Sequence, residues 1–187
     1  MSTIKVDFDR DRWLYVPEFW PWQQFASVED WAGTIARLVQ ESAELDAERG
    51  EWLRASITSI HNDRPEGENR FIYLAEPDKF IFFVSVLHGP SRPAISVDTL
   101  AGIDDPAATR APDVENLQSA ALGRGIRAVR YVDAGAPNHD VAAIAQYAWR
   151  SQDMDVVVIA ANYGIVLLNA MLPIVDEFAL SISVVDD

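Results

Sequence analysis

Apolar residues recur along this chain with two different spacings, and the spacing predicts the element. Trp31, Ile35, Leu38, Val39, Ser42 and Leu45 share one stripe at the 3.6-residue period, with Arg37, Glu41 and Glu44 on other faces. That pattern predicts a helix beginning at Ser27. Ser27 followed three residues on by Asp30 is a capping-box-like start, and Gly50 reads as the stop. Leu53, Ile57 and Ile60 repeat the helical spacing and predict a second helix over 52–61. After a loop at 64–69, the runs 71–75 and 80–87 are apolar at nearly every position. Glu76-Pro77-Asp78-Lys79 between them favours a tight turn, so the two runs predict a hairpin. Continuous apolarity predicts that both faces of that hairpin are covered, because a half-exposed sheet would alternate.

The rest of the chain divides in the same way. The Pro- and Asp-rich stretch 89–113 holds one strand-like run, 95–100, followed by a surface loop over 101–113. A short helix is predicted over 114–122, ended by Gly123, then a strand over 126–132 and a turn over 134–140. Val141, Ile144, Ala145, Ala148 and Trp149 fit helical spacing, whereas the short link 151–153 fits a hairpin into the next run; both readings stand. A buried strand is predicted over 155–161 and a helix over 165–178. That helix would place Leu168, Met171, Leu172 and Val175 on its inner stripe, Asp176 and Glu177 in solvent, and a bend at Pro173. A terminal strand is predicted over 179–185.

Three runs, RGIRAVRYVD (124–133), AIAQYAWRSQDMDVVVIAANYG (143–164) and LNAMLPIVDEFALSISV (168–184), together resemble uncharacterised actinobacterial proteins. Their pattern is also similar to the PsbP-like fold, over roughly residues 70–185 at domain scale. The resemblance implies an α+β fold in which an antiparallel sheet is sandwiched between helices, a three-layer α/β/α arrangement. It also implies that 141–150 is a strand. Proteins of that fold class look mainly like binding or assembly factors and share no catalytic residues, so no residue role carries over. The chain then reads as a single α+β domain: an extended segment over 1–26, amino-terminal helices over 27–62, and the sheet with its carboxyl-terminal helix over 70–187.

Composition narrows function by exclusion. The 187 residues carry 15 Lys and Arg against 29 Asp and Glu, a net charge of -14. Nucleic acid and anionic membranes attract surplus cation, so neither is expected as a partner. A protein partner or a second copy is expected instead. An acidic immunity-like protein that neutralises a basic toxin is an alternative. There is no Cys, which removes disulfides, thiol catalysis and thiolate metal sites. No basic segment followed by an apolar run opens the chain, and no apolar run approaches ~18 residues, so a cytoplasmic protein is expected.

Candidate chemistry is sparse. His61, His88 and His139 lie far apart in sequence; only His139-Asp140 resembles a ligand pair, and no metal or cofactor is expected. Gly123-Arg124-Gly125 would need a strand before it and a helix after it to cradle phosphate, and the predicted order is the reverse. Arg124, Arg127 and Arg130 remain a weak anion candidate, since 127 and 130 point to opposite faces of a strand. No serine elbow or paired-carboxylate spacing marks a catalytic centre. The unusual feature is an aromatic amino-terminal segment with Trp13, Tyr15, Phe19, Trp20 and Trp22, interrupted by Pro17 and Pro21. It reads either as a recognition surface or as an extended clasp packed on the body. The leading expectation is a non-enzymatic protein-binding or assembly factor. A small-molecule binder or enzyme with an aromatic-lined pocket is the remaining alternative.

Overall fold

A computed structural model describes residues 2–136 and 139–186. The elements are β1 (Ser2–Val6), β2 (Trp13–Val16), α1 (Val28–Ser42), α2 (Ala47–Asn62), β3 (Asn69–Tyr73), β4 (Phe82–Pro90), α3 (Val97–Leu100), β5 (Asp113–Ser119), β6 (Gly123–Ala136), β7 (His139–Ser151), β8 (Met154–Asn162), α4 (Ile165–Leu180) and β9 (Ile182–Asp186). The chain is therefore α+β, with antiparallel strand pairing and four helices among the described residues. Its contacts group into two compact units, Asp9–Phe83 and Met1–Phe8 with Val84–Asp187.

In the unit Asp9–Phe83, α1 begins as its sequence predicts. Ser27 Oγ accepts from the Asp30 N–H at 3.3 Å, and Asp30 returns an acceptor to the Ala26 N–H. Gly50 is not the stop. It lies inside the first turns of α2, where a Cβ would overlap Gln40 of α1, so the glycine permits the two helices to approach. The break comes earlier, at the C-cap Ala43 and at Glu44, whose φ of 52° ends the helical path. Asp46 then caps α2 by accepting from the Arg49 N–H at 2.7 Å.

The segment expected to be merely extended supplies β2, which pairs with β3 (Trp13 opposite Tyr73, Tyr15 opposite Phe71). Phe71, Ile72 and Tyr73 are all buried, so both faces of β3 are covered, as continuous apolarity predicts. The core of this unit gathers Val16, Phe25, Trp31, Ile57 and Ile72.

In the second unit, β4, β8, β7, β6 and β5 pair in that order, and β1 pairs with β9. The region 141–150 is strand β7, opposite both β6 and β8. Two expectations fail here. Residues 114–122 are not a helix: 113–119 form the edge strand β5, and backbone pairing with β6 overrides the helix-forming Leu, Gln and Glu in the run. Ser119 Oγ accepts from the N–H groups of Ala121 and Leu122, and Gly123 closes the turn at φ 78°. Residues 95–100 are not a strand: Ser96 caps a single helical turn, α3, by accepting from the Thr99 N–H. The predicted turn 134–140 falls partly outside the described residues, at 137 and 138.

Side chains of β6, β7 and β8 alternate between two faces. Ala128, Ala148, Ile126 and Val157 pack with Leu100 and Ala101 of the α3 region. On the opposite face Tyr147 reaches α4, which lies along β7 and β8. No helix of the described residues is long and apolar enough to cross a membrane.

Candidate functional site

The five aromatic candidates belong to one unit, and four of them turn inward. Trp13 is buried edge-on to Tyr73, with ring centroids 5.2 Å apart. Tyr15 lies 5.4 Å from Phe71, and burial pushes its hydroxyl pKa up. Trp20 packs beside Trp31 and donates its indole N–H to His61 Nε2 at 3.1 Å. Trp22 stacks on Phe25. Arg64 pins the segment from below by donating to the carbonyls of Val16, Pro17 and Glu18. Phe19 alone projects, 75% exposed. A cleft of about 320 Å³ lies beside Trp13, lined also by Arg10, Leu38, Val39 and Pro77; Trp20 and Trp22 are not part of it.

The three arginines of β6 do not converge. Arg127 points to α4, Arg130 is buried on the other face against Asp105 (2.8 Å) and Gln146 (2.8 Å), and Arg124 is exposed at the hairpin end. Gly123-Arg124-Gly125 is a turn between two strands, with Gly125 beneath the Trp149 indole, and it opens no helix. His88 sits in β4 opposite Val156. The side chains of His139 and Asp140 lie outside the described residues, and no metal-holding group of acids and histidines occurs among the described ones. A second cavity, about 350 Å³, is lined by Leu87, Arg92, Leu100, Asp155 and Val157. Its one carboxylate is occupied: Asp155 accepts from Arg150 (2.6 and 3.0 Å) and from the Arg92 N–H, and the Arg150 bond holds its pKa below the usual carboxylate range.

The arrangement the sequence reading missed is on α4. Its inner stripe, Leu168, Met171, Val175, Phe178 and Ala179, is buried. Leu172, expected in that stripe, is half-buried at its margin, and Phe178 takes the place at the far end. Asp176, expected in solvent, is half-buried. It accepts from the Tyr147 hydroxyl at 2.7 Å and from Arg127 at 2.5 Å, while Arg127 also pairs with Glu115 of β5. Burial first, and the bond to Asp176 second, push the Tyr147 pKa far above its ordinary value. One carboxylate thus ties α4 to β7 and β6, and through Arg127 to β5.

The outer side of the same helix is bare. From Ile165 to Val175 there is no charged residue. Val166 is 84% exposed and Tyr163, just before the helix, 51%. Ile165 and Leu180 are also exposed. The signal was present as an apolar run with almost no polar interruption, which the inner stripe alone does not require. No family model, no curated protein and no solved structure matches the chain.

Proposed function

We propose that this chain is a non-enzymatic binding or assembly factor that docks a protein through the outer face of α4. One observation carries the reading: a surface helix normally pairs an apolar stripe with a polar one, and a helix apolar all round is normally buried. Here α4 carries no charged residue from Ile165 to Val175 and its inner stripe is already buried, yet Val166 on the outer side stands in solvent. An exposed apolar patch of this kind marks an interaction site. The anchored inner face supports it, since a rigid helix loses little freedom on docking. The surplus of acid favours a protein over nucleic acid or an anionic membrane as the occupant, within a cytoplasmic setting. The PsbP-like three-layer arrangement belongs to the same proposal, supported by α4 and α3 lying against opposite faces of the strands.

The test is a photoreactive benzophenone side chain at Val166, irradiated in the native cell, with the same group at exposed Glu48 as control. The expected result is one protein adduct of discrete mass at 166 and none at 48. No protein adduct at 166, or the same smear at both positions, refutes the reading.

A further inference from the structure

The single helical turn α3 covers only part of one sheet face. It lies over β6 and β7, where Ala128 and Ala148 leave it room. Beside it, over β4 and β8, the same face stays partly open: Leu87 and Val157, opposite each other in those strands, are half-buried. They line the cavity of about 350 Å³, together with Leu100 of α3 and with Gly89, Pro90 and Arg92. Gly89 shares its side of β4 with Leu87. A Cβ there would meet nothing within 4 Å beyond its chain neighbours, so the space above it is open.

A buried ion pair fixes the edge of this cavity. Asp155 accepts from Arg150 at 2.6 and 3.0 Å and from the Arg92 N–H at 3.0 Å. Arg150 in turn donates to the Arg92 carbonyl at 3.1 Å. Both backbone polar groups of Arg92 are therefore held, while its guanidinium makes no hydrogen bond or ion pair among the described residues. A chain with 29 acids and 15 basic residues has carboxylates to spare, yet none is set against this cation.

We propose that the cavity binds a small apolar monocarboxylate, its carboxylate on Arg92 and its body on Leu87, Leu100 and Val157. The volume lies in the range of small-ligand sites, and an apolar lining with one placed polar group is their usual form. A guanidinium donates two parallel N–H bonds to a carboxylate. Charge favours a monoanion over a phosphate. The charge of Asp155 is already answered by Arg150, and Arg92 is the one arginine or lysine among the described residues that line the cavity. A second negative charge on the ligand would meet no second cation of that kind, in a chain of net charge -14. The clamp on the backbone of residue 92 lowers the cost of ordering its side chain on the ligand. The cavity lies on the α3 side of the strands, opposite α4, so the proposal is independent of the docking reading.

The probe is sodium octanoate, titrated into the full chain and followed by amide chemical shifts. One octanoate should bind per chain with a Kd on the order of 0.1–1 mM, the range open to a ligand of about ten non-hydrogen atoms. Shifts should concentrate at 87–92 and 155–157. Arg92→Gln should weaken octanoate by about fivefold, since the pair is partly exposed, and leave uncharged 1-octanol unchanged. Gly89→Val should abolish binding of both by filling the open space. Both variants should keep the wild-type melting curve, because the Arg92 side chain is exposed and valine suits a strand.

No saturable octanoate binding to the wild-type chain, shifts that lie elsewhere, or undiminished binding to Gly89→Val overturns the site. An equal loss of octanoate and octanol on Arg92→Gln, or octyl phosphate binding more tightly than octanoate, overturns the monocarboxylate as the group recognised.

Discussion

Replacing Asp176 with Ala tests whether α4 is held by its half-buried carboxylate or only by apolar packing. The substitution leaves Tyr147, which is fully buried, with a hydroxyl hydrogen and no acceptor. An orphaned buried polar group costs about 1–3 kcal/mol. It also removes one of two anions from Arg127, whose side chain is only 16% exposed. Breaking a buried pair costs about 3–5 kcal/mol when the remaining charge has no other partner. Here Glu115 remains, and Asp176 is 28% exposed, so the lower part of that range is discounted further. The combined expectation is a loss of about 2–4 kcal/mol, read from the urea midpoint at constant slope. In a thermal melt of a chain this size that is a fall of roughly 5–15 °C. Tyr147→Phe alone should cost about 0.5–1.5 kcal/mol, since Asp176 keeps Arg127. The double variant should cost clearly less than the sum, because removing the hydroxyl removes the orphan. A loss below about 0.5 kcal/mol for Asp176→Ala would mean that the carboxylate behaves as a surface group, and the account of the anchor would be wrong.

The raised pKa of Tyr147 sets a pH dependence. In the unfolded chain the phenol loses its proton near pH ~10, while the folded chain keeps it, so the unfolded state binds fewer protons and stability falls as pH rises above that value. Tyr147→Phe should flatten the alkaline limb of a stability profile, and an unchanged limb would contradict the burial of the hydroxyl. Asp155 has its pKa lowered, first by Arg150, so its contribution is present above the unfolded value of ~3.9 and is lost as pH falls through the folded one. Asp155→Asn should therefore be destabilised at pH 7 and converge toward wild type in acid melts, and a constant difference across pH would refute the pairing. At Gly125 a Cβ would fall 2.6 Å from Trp149 Cε2, and Trp149 is fully buried, so Gly125→Ala should cost about 1–3 kcal/mol through overpacking. A neutral result would place the indole elsewhere.

Helices α1, α2 and α4 were legible in the sequence because their apolar residues recur at the helical period, and strands β3, β4, β6 and β8 because they are short apolar runs between turn residues, both of them local properties. Burial on both faces of β3 was legible because its apolar run does not alternate with polar residues. What failed locally was decided by pairing. The edge strand β5 is built from residues with helix propensity, and only hydrogen bonding to β6 makes it extended. Residues 141–150 fit helical spacing by their apolar positions and a hairpin strand by the short link that follows, and β6 and β8 on either side settle them as strand. Gly50 has the composition of a stop, but its role is set by Gln40, ten residues away on another helix. The candidate site divides in the same way. The uncharged run over 165–175 is in the sequence, but one helical period cannot say which of two apolar stripes meets the sheet. Asp176 resolves that: beside Glu177 it reads as a second solvent acid, and only the fold brings Tyr147 and Arg127, 29 and 49 residues away, to either oxygen of its carboxylate. That contact turns one stripe inward, and by the geometry of a helix the other must then face out.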